Sequence, residues 1–308
     1  MLRKKLGLAV FSLAVFSGLA PTYTSTASQV GQLKLNAAKT AVNPIYQAKG
    51  IQQSSKWIAR HGLSSTQYQN AFDQYKKQGY RLTHVSGYGV QGKSYYSAIW
   101  EKKSGPALIA RHGLTSAQYQ SAFNKQARNG YRLVHVSGYS VANKAYYAAI
   151  WEKKSGPALI ARHGLTSAQY QSAFNKQAKN GYRLVHVDGY SVANKAYYAA
   201  IWEKKSGPAL IARHGLTSAQ YQSAFDKHVK NGYRLVHVSG YSVANKAYYA
   251  AIWEKKSGPA LIARHGLTSA QYQSAFDKHV KNGYRLVHVS GYSVANKAYY
   301  AAIWEKKG

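Results

Sequence analysis

The sequence predicts an α+β protein of five tandem α-β-β repeats forming a curved antiparallel sheet, a half β-barrel or closed barrel, with helices on its outer face. Three observations predict it. The pentapeptide Ile-Trp-Glu-Lys-Lys returns with its Trp at 100, 151, 202, 253 and 304, and everything between follows the same 51-residue step. Within each step an apolar pattern of helical period gives way to β-branched and aromatic runs of the kind strands prefer. A unit this small cannot bury both a helix stripe and a sheet face alone, so neighbouring units must stack.

The elements follow in chain order. Arg3, Lys4 and Lys5 precede the apolar run Leu6–Ala20, which reads as the start of a secretory signal peptide. The run is short of the ~20 residues that span a bilayer. Small residues at Ser25-Thr26-Ala27 place cleavage before Ser28, giving a signal peptide over 1–27 and a polar leader or cap over 28–56. The repeats then occupy 57–103, 104–154, 155–205, 206–256 and 257–308. In the second copy, Thr115 followed by Gln118 forms a capping-box pattern. Tyr119, Ala122, Phe123 and Ala127 share one helical face, which predicts a helix over 116–129 closed by Asn129-Gly130. Residues 131–136 and 145–152 read as two strands of a hairpin, with a loop over 138–144 between them. Ser155-Gly156-Pro157 then breaks the chain. Five hairpins supply about ten strands, enough to curl into a full or partial barrel. Helices would cover one sheet face and leave the other free.

Composition narrows the function. Among 308 residues there are 42 Lys and Arg against 9 Asp and Glu, a formal charge of +33, which points to an anionic partner rather than an average enzyme surface. A hydrophobic share of 45% excludes a disordered basic tail. The absence of cysteine excludes disulfides, a Cys-based zinc site and a cysteine nucleophile. The excess charge belongs to the repeat: in the second copy Arg111, Lys125, Arg128, Arg132, Lys144, Lys153 and Lys154 face only Glu152, a net +6. Teichoic acids, anionic polysaccharide, acidic lipid and extracellular DNA all fit such an array, and weak sites repeated along a polymer gain avidity.

Candidate residues recur with the unit. Arg-His-Gly supplies Arg60, Arg111, Arg162, Arg213 and Arg264 with His61, His112, His163, His214 and His265. Histidine phosphatases carry a similar triplet, but their chemistry needs a second His, further Arg residues and a single pocket. A 51-residue unit offers none of that frame, so the triplet reads as a loop leading into the helix. A second His per repeat (His84, His135, His186, His237 and His288) has no acid or Cys at ligand spacing and reads as structural, with no metal or cofactor implied. His228 and His279 read as surface substitutions on their helices. The signatures Ser-x-x-Lys, Gly-x-Ser-x-Gly and His-Glu-x-x-His do not occur, so no enzyme is predicted. For binding, the free sheet face would present Tyr88, Tyr139, Tyr190, Tyr241 and Tyr292 of the Gly-Tyr pairs. It would also present Arg81, Arg132, Arg183, Arg234 and Arg285 of the Gly-Tyr-Arg motifs, and the Arg and His of the five Arg-His-Gly triplets are further binding candidates.

The motifs Trp-Ile-Ala-Arg-His-Gly-Leu (57–63), Tyr-Gln-x-Ala-Phe (68–72), Gly-Tyr-Arg-Leu (79–82), Gly-Tyr (87–88) and Tyr-Ser-Ala-Ile-Trp-Glu-Lys (96–102) resemble a bacterial tandem repeat of secreted proteins. It is similar to the repeat half of polyglycine hydrolases, where such repeats build a half β-barrel beside a serine-hydrolase domain. The resemblance covers all five copies and implies a curved sheet with outer helices in a secreted protein. The Ser-x-x-Lys domain has no counterpart here, so no peptidase activity carries over. Residues and resemblance together predict a secreted, non-catalytic protein that binds an anionic or glycan polymer of a cell envelope or extracellular matrix. The alternatives are a cationic antimicrobial factor and an accessory targeting module related to secreted serine hydrolases.

Overall fold

The computed structural model describes residues 56–306. The expected signal peptide, its cleavage point and all but the last residue of the expected leader lie outside them. The first repeat comprises β1 (Trp57–Ser64), α1 (Ser65–Lys77), β2 (Tyr80–Val90) and β3 (Lys93–Lys102). The same four elements recur five times, so each repeat is a three-stranded antiparallel sheet with one helix. In every sheet the strand order places the third strand between the first and second. We refer to outer, middle and inner strands for the equivalents of β1, β3 and β2.

The helix forms where the sequence places it. Thr115 accepts from the Gln118 N–H, and the Gln118 side chain accepts from the Thr115 N–H, closing the capping box at Ser116–Arg128. No acidic residue sits in its first turn, whereas Lys125 and Arg128 occupy the last, where the helix dipole favours cations.

Two local expectations change. Arg-His-Gly is not a loop: Leu108–Leu114 is the outer strand, paired with the middle strand through Ile109↔Trp151 and Arg111↔Ala149. A bulge between Arg111 and Leu114 breaks its alternation, and Gly113 sits there at φ 65, so the segment does not read as a strand. The hairpin loop shrinks to two residues. Strands Tyr131–Val141 and Lys144–Lys153 are joined by Ala142 and Asn143, at φ 47 and 59, the left-handed pair that matches strand twist.

The sheets remain separate and do not close into one hydrogen-bonded barrel. They are assembled face to face. Along the middle strand, Tyr147, Ala149 and Trp151 enter the core shared with their own helix and the next repeat. Ala148 and Ile150 enter the core of the preceding repeat, beneath Trp100 and Tyr68. Alternate residues of one strand thus bury opposite sheet faces. The expected free face does not exist: each sheet is covered by its own helix on one side and by its neighbour's aromatic layer on the other.

Inner strands pack against inner strands around a common axis, and the fifth repeat packs on the first, so the array is a closed ring. The seam repeats the bonds of the other junctions. Gly291 N–H donates to Ser86 Oγ at 3.0 Å, and the hydroxyls of Tyr88 and Tyr300 lie 2.7 Å apart. Trp57, which replaces the Leu108 of later copies, adds an edge contact with Phe276 at 5.8 Å.

Candidate functional site

The ring has two ends. Outer and inner strands run from the linker end to the hairpin end, and helices and middle strands run back. The hairpin end carries the two-residue turns; the linker end carries helix C-termini and the Lys-Lys-Ser-Gly-Pro segments between repeats.

The tyrosines proposed for a free face are interior. Tyr88, Tyr139, Tyr190, Tyr241 and Tyr292 are each only 3% exposed. The Tyr139 hydroxyl lies 2.6 Å from that of Tyr96 in the preceding repeat and accepts from the Gly113 N–H at 3.2 Å. Burial and the neighbouring phenol push its pKa far up, so it stays neutral. The glycine of the Gly-Tyr pair has a packing reason: a Cβ on Gly138 would stand 2.5 Å from the Tyr190 ring that crosses it. These residues hold repeats together and are closed to a polymer.

The arginines of Gly-Tyr-Arg are staples. Arg132 donates from Nε and Nη2 to Glu203 Oε1 in the next repeat, at 3.3 and 2.8 Å, and from Nη1 to the Pro157 carbonyl at 2.5 Å. Arg81, Arg183 and Arg234 repeat the pairing with Glu152, Glu254 and Glu305. Arg285 closes the seam more loosely on Glu101, at 3.5 Å. Burial alone would raise the Glu203 carboxyl, but Lys205 and Arg132 outweigh it and hold the group below its usual range. With both donor edges used, Arg132 has little left for a ligand.

The Arg-His-Gly residues separate. Arg111, Arg162, Arg213 and Arg264 are exposed on outer strands, while Arg60 is half-buried with its guanidinium 5.7 Å from the Tyr75 ring. His112 packs edge-on against Tyr68 and Tyr96, and its Nε2 lies 2.9 Å from Ser65 Oγ. His163, His214 and His265 repeat that contact with Ser116, Ser167 and Ser218. His61 at the seam is buried between Tyr272 and Tyr300. Burial, with Arg60 beside it, lowers its pKa to about 4. The helix residues His228 and His279 are not surface substitutions. Each is 6% exposed and packs at a tilt against a core tryptophan, Trp253 or Trp304, with ring centres 4.9 and 5.0 Å apart.

What the fold does bring together lies at the linker end. The ammonium of Lys102 lies 5.6 Å from the ring centre of Tyr80, and Lys153, Lys204, Lys255 and Lys306 repeat this over Tyr131, Tyr182, Tyr233 and Tyr284 at 5.9, 5.8, 5.8 and 5.1 Å. Tyr131 and Lys153 are directly opposed across the hairpin. Counting back from the turn in the sequence alone pairs Tyr131 with Lys154. The bulge between Leu133 and His135 supplies the missing residue. In the third repeat the pair borders a cleft of about 640 Å³ between Phe174 and Ala178 of the helix, Tyr182 just before the inner strand, Arg183 at its start, and Lys204–Gly207 of the linker. That volume lies within the usual range of small-molecule sites. By contrast, the axial pocket at the hairpin end, lined by Ser86, Asp188 and the Gly-Tyr backbones, measures only about 40 Å³ and has no room for a sugar.

Among the described residues no helix is long and apolar enough to cross a membrane. The family model for the polyglycine hydrolase-like structural repeat matches residues 54–103, 105–154, 156–205, 207–256 and 258–307. With five consecutive matches that take in nearly all of the ring, the chain belongs to the polyglycine hydrolase-like structural repeat family.

Proposed function

We propose that this chain is a secreted, non-catalytic polymer binder that engages an anionic or glycan polymer of a cell envelope or extracellular matrix through the linker end of the ring. The observation that carries the reading is the circle of five Lys–Tyr pairs at one end, four of them with a partly exposed ring and the first with Tyr80 buried. A phenol face supplies flat apolar area for a sugar or polyol, and an ammonium beside it supplies charge for a phosphate or carboxylate. Lys125 and Arg128 of the second repeat, and the basic last turns of the other helices, add further positive charge at this end, while Glu152 and Glu203 are already bonded to Arg and Lys, Lys154 among them. One weak site per repeat becomes strong on a polymer long enough to reach several. The basic, apolar start of the sequence supports export.

The test is retention on immobilised poly(glycerol phosphate), a polyuronate and neutral dextran at low and high salt. Retention on the two polyanions should fall steeply with salt, because binding releases counterions. Salt-insensitive retention on dextran alone would contradict the electrostatic part of the reading. Leakage of anionic vesicles without polymer retention would favour an envelope-disrupting role instead.

A further inference from the structure

At the ring axis five imidazoles from five repeats meet. Successive ring centres of His84, His135, His186, His237 and His288 lie 4.3, 4.6, 4.5 and 4.5 Å apart, and His288 returns to His84 at 4.5 Å. Each is 6–7% exposed. Each Nε2–H donates to a valine carbonyl of the preceding repeat. His135 bonds Val85 O at 2.6 Å, for example, and His84 crosses the seam to Val289 O at 2.6 Å. Because a carbonyl only accepts, the proton is on Nε2 and a neutral ring is bare at Nδ1. A second proton would create a cation with two more imidazoles within 5 Å.

No countercharge stands ready for such a cation. The middle strands present Ile99 and its equivalents opposite the histidines. The strand arginines Arg81, Arg132, Arg183, Arg234 and Arg285 are themselves cations, spent on glutamates. Among the described residues the one nearby carboxylate is Asp188, two residues beyond His186, which accepts from Ser239 Oγ–H and from the Gly138 N–H.

We propose that the axial imidazole ring is an acid-released latch, which holds the five inner strands together while its members are neutral and lets them part when they take up protons. Burial, and for some of them the neighbouring imidazoles, hold all five below the ordinary value of 6.5, with His135 and His288 at about 4. Between pH 6.5 and 4 the parted strands therefore bind protons that the closed ring refuses. Each proton taken up shifts the balance toward opening tenfold per pH unit. Asp188 acts in the opposite sense. Its carboxyl, raised by burial from 3.8 to about 7, releases a proton on opening in the same interval. The pentad and Asp188 together thus take up about four protons net.

The experiment is small-angle scattering of the full chain from pH 7.5 to 4, which reads the radius of the particle. The expected result is a steep expansion below pH 6 whose slope corresponds to about four protons. His135→Gln and His237→Gln, which keep an amide donor for the valine carbonyl, should each lower that slope by one proton. The same change at the rim, His163→Gln, should leave it unaltered. Should either axial variant fail to fold, imidazole titration of the wild-type ring by NMR replaces it, with the five axial rings expected to stay neutral down to the pH at which the particle expands and to take up their protons together there; protonation of any axial ring in the unexpanded particle would overturn the latch. A radius unchanged down to pH 4.5, or axial substitutions that leave the slope intact, would overturn the latch.

Discussion

Asp188 is the one position where the axial belt of Ser86, Ser137, Ser239 and Ser290 carries a charge. The sequence shows the exception at once but not its cost, because nothing in a single copy says that the residue faces four others across an axis. It is 8% exposed, and burial raises its carboxyl from 3.8 to about 7. A raised carboxyl binds its proton more tightly in the folded state, so on its account stability falls as pH rises from about 4 to 7. Asp188→Ser is predicted to stabilise the protein, and the gain at pH 8 should exceed that at pH 6.5, where the ring is still closed, by about 1 kcal/mol. Urea denaturation at the two pH values checks this, and a gain independent of pH would refute the assignment. The same blindness explains the tyrosines. Tyr139 and Tyr131 look alike as strand residues, and only the neighbouring repeat makes one interior and the other half of a surface pair.

At the scale of elements, the signals that were legible are local ones. The helix could be read because its capping box, its apolar stripe and its closing Asn129-Gly130 all lie within one stretch of chain. The outer strand could not, because a bulge and a left-handed glycine interrupt its alternation and its partner lies one hairpin away. The turn was overestimated because Ala142-Asn143 lacks the usual glycine. In the first repeat the equivalent pair is Gln91-Gly92, at φ 49 and 71. Alanine at positive φ costs roughly 1 kcal/mol or more in this region. Replacing Ala142, Ala193, Ala244 and Ala295 with Asn should therefore raise stability by about 0.5–1 kcal/mol per turn, additively, since the turns belong to different repeats. Thermal denaturation of single and quadruple variants measures it. A quadruple variant no more stable than the parent would show that the turns carry no strain.

At the scale of the molecule, the period of the sequence made the array visible and left its closure open. Closure depends on how far each sheet turns from the last, a property of the junctions rather than of any unit. The Tyr–Tyr, Gly–Ser and His–Val bonds that join the last repeat to the first are those of the other junctions, save that Asp188 replaces the Ser between the second and third repeats. The Arg285–Glu101 pair is longer than its counterparts, and Trp57 fills the space beside Phe276. Closure is also what gathers the Lys–Tyr pairs at one end and the turn lysines Lys93, Lys144, Lys195, Lys246 and Lys297 at the other. That arrangement gives the most direct test of the functional account, since two variants of equal charge differ only in the end they alter. One replaces Lys102, Lys153, Lys204, Lys255 and Lys306 with Gln; the other replaces the five turn lysines. Their affinities for poly(glycerol phosphate) would be compared at fixed salt. The account predicts that the linker-end variant loses at least tenfold more affinity than the hairpin-end variant. Equal losses would show that net charge alone does the binding, and the linker end would have no special role.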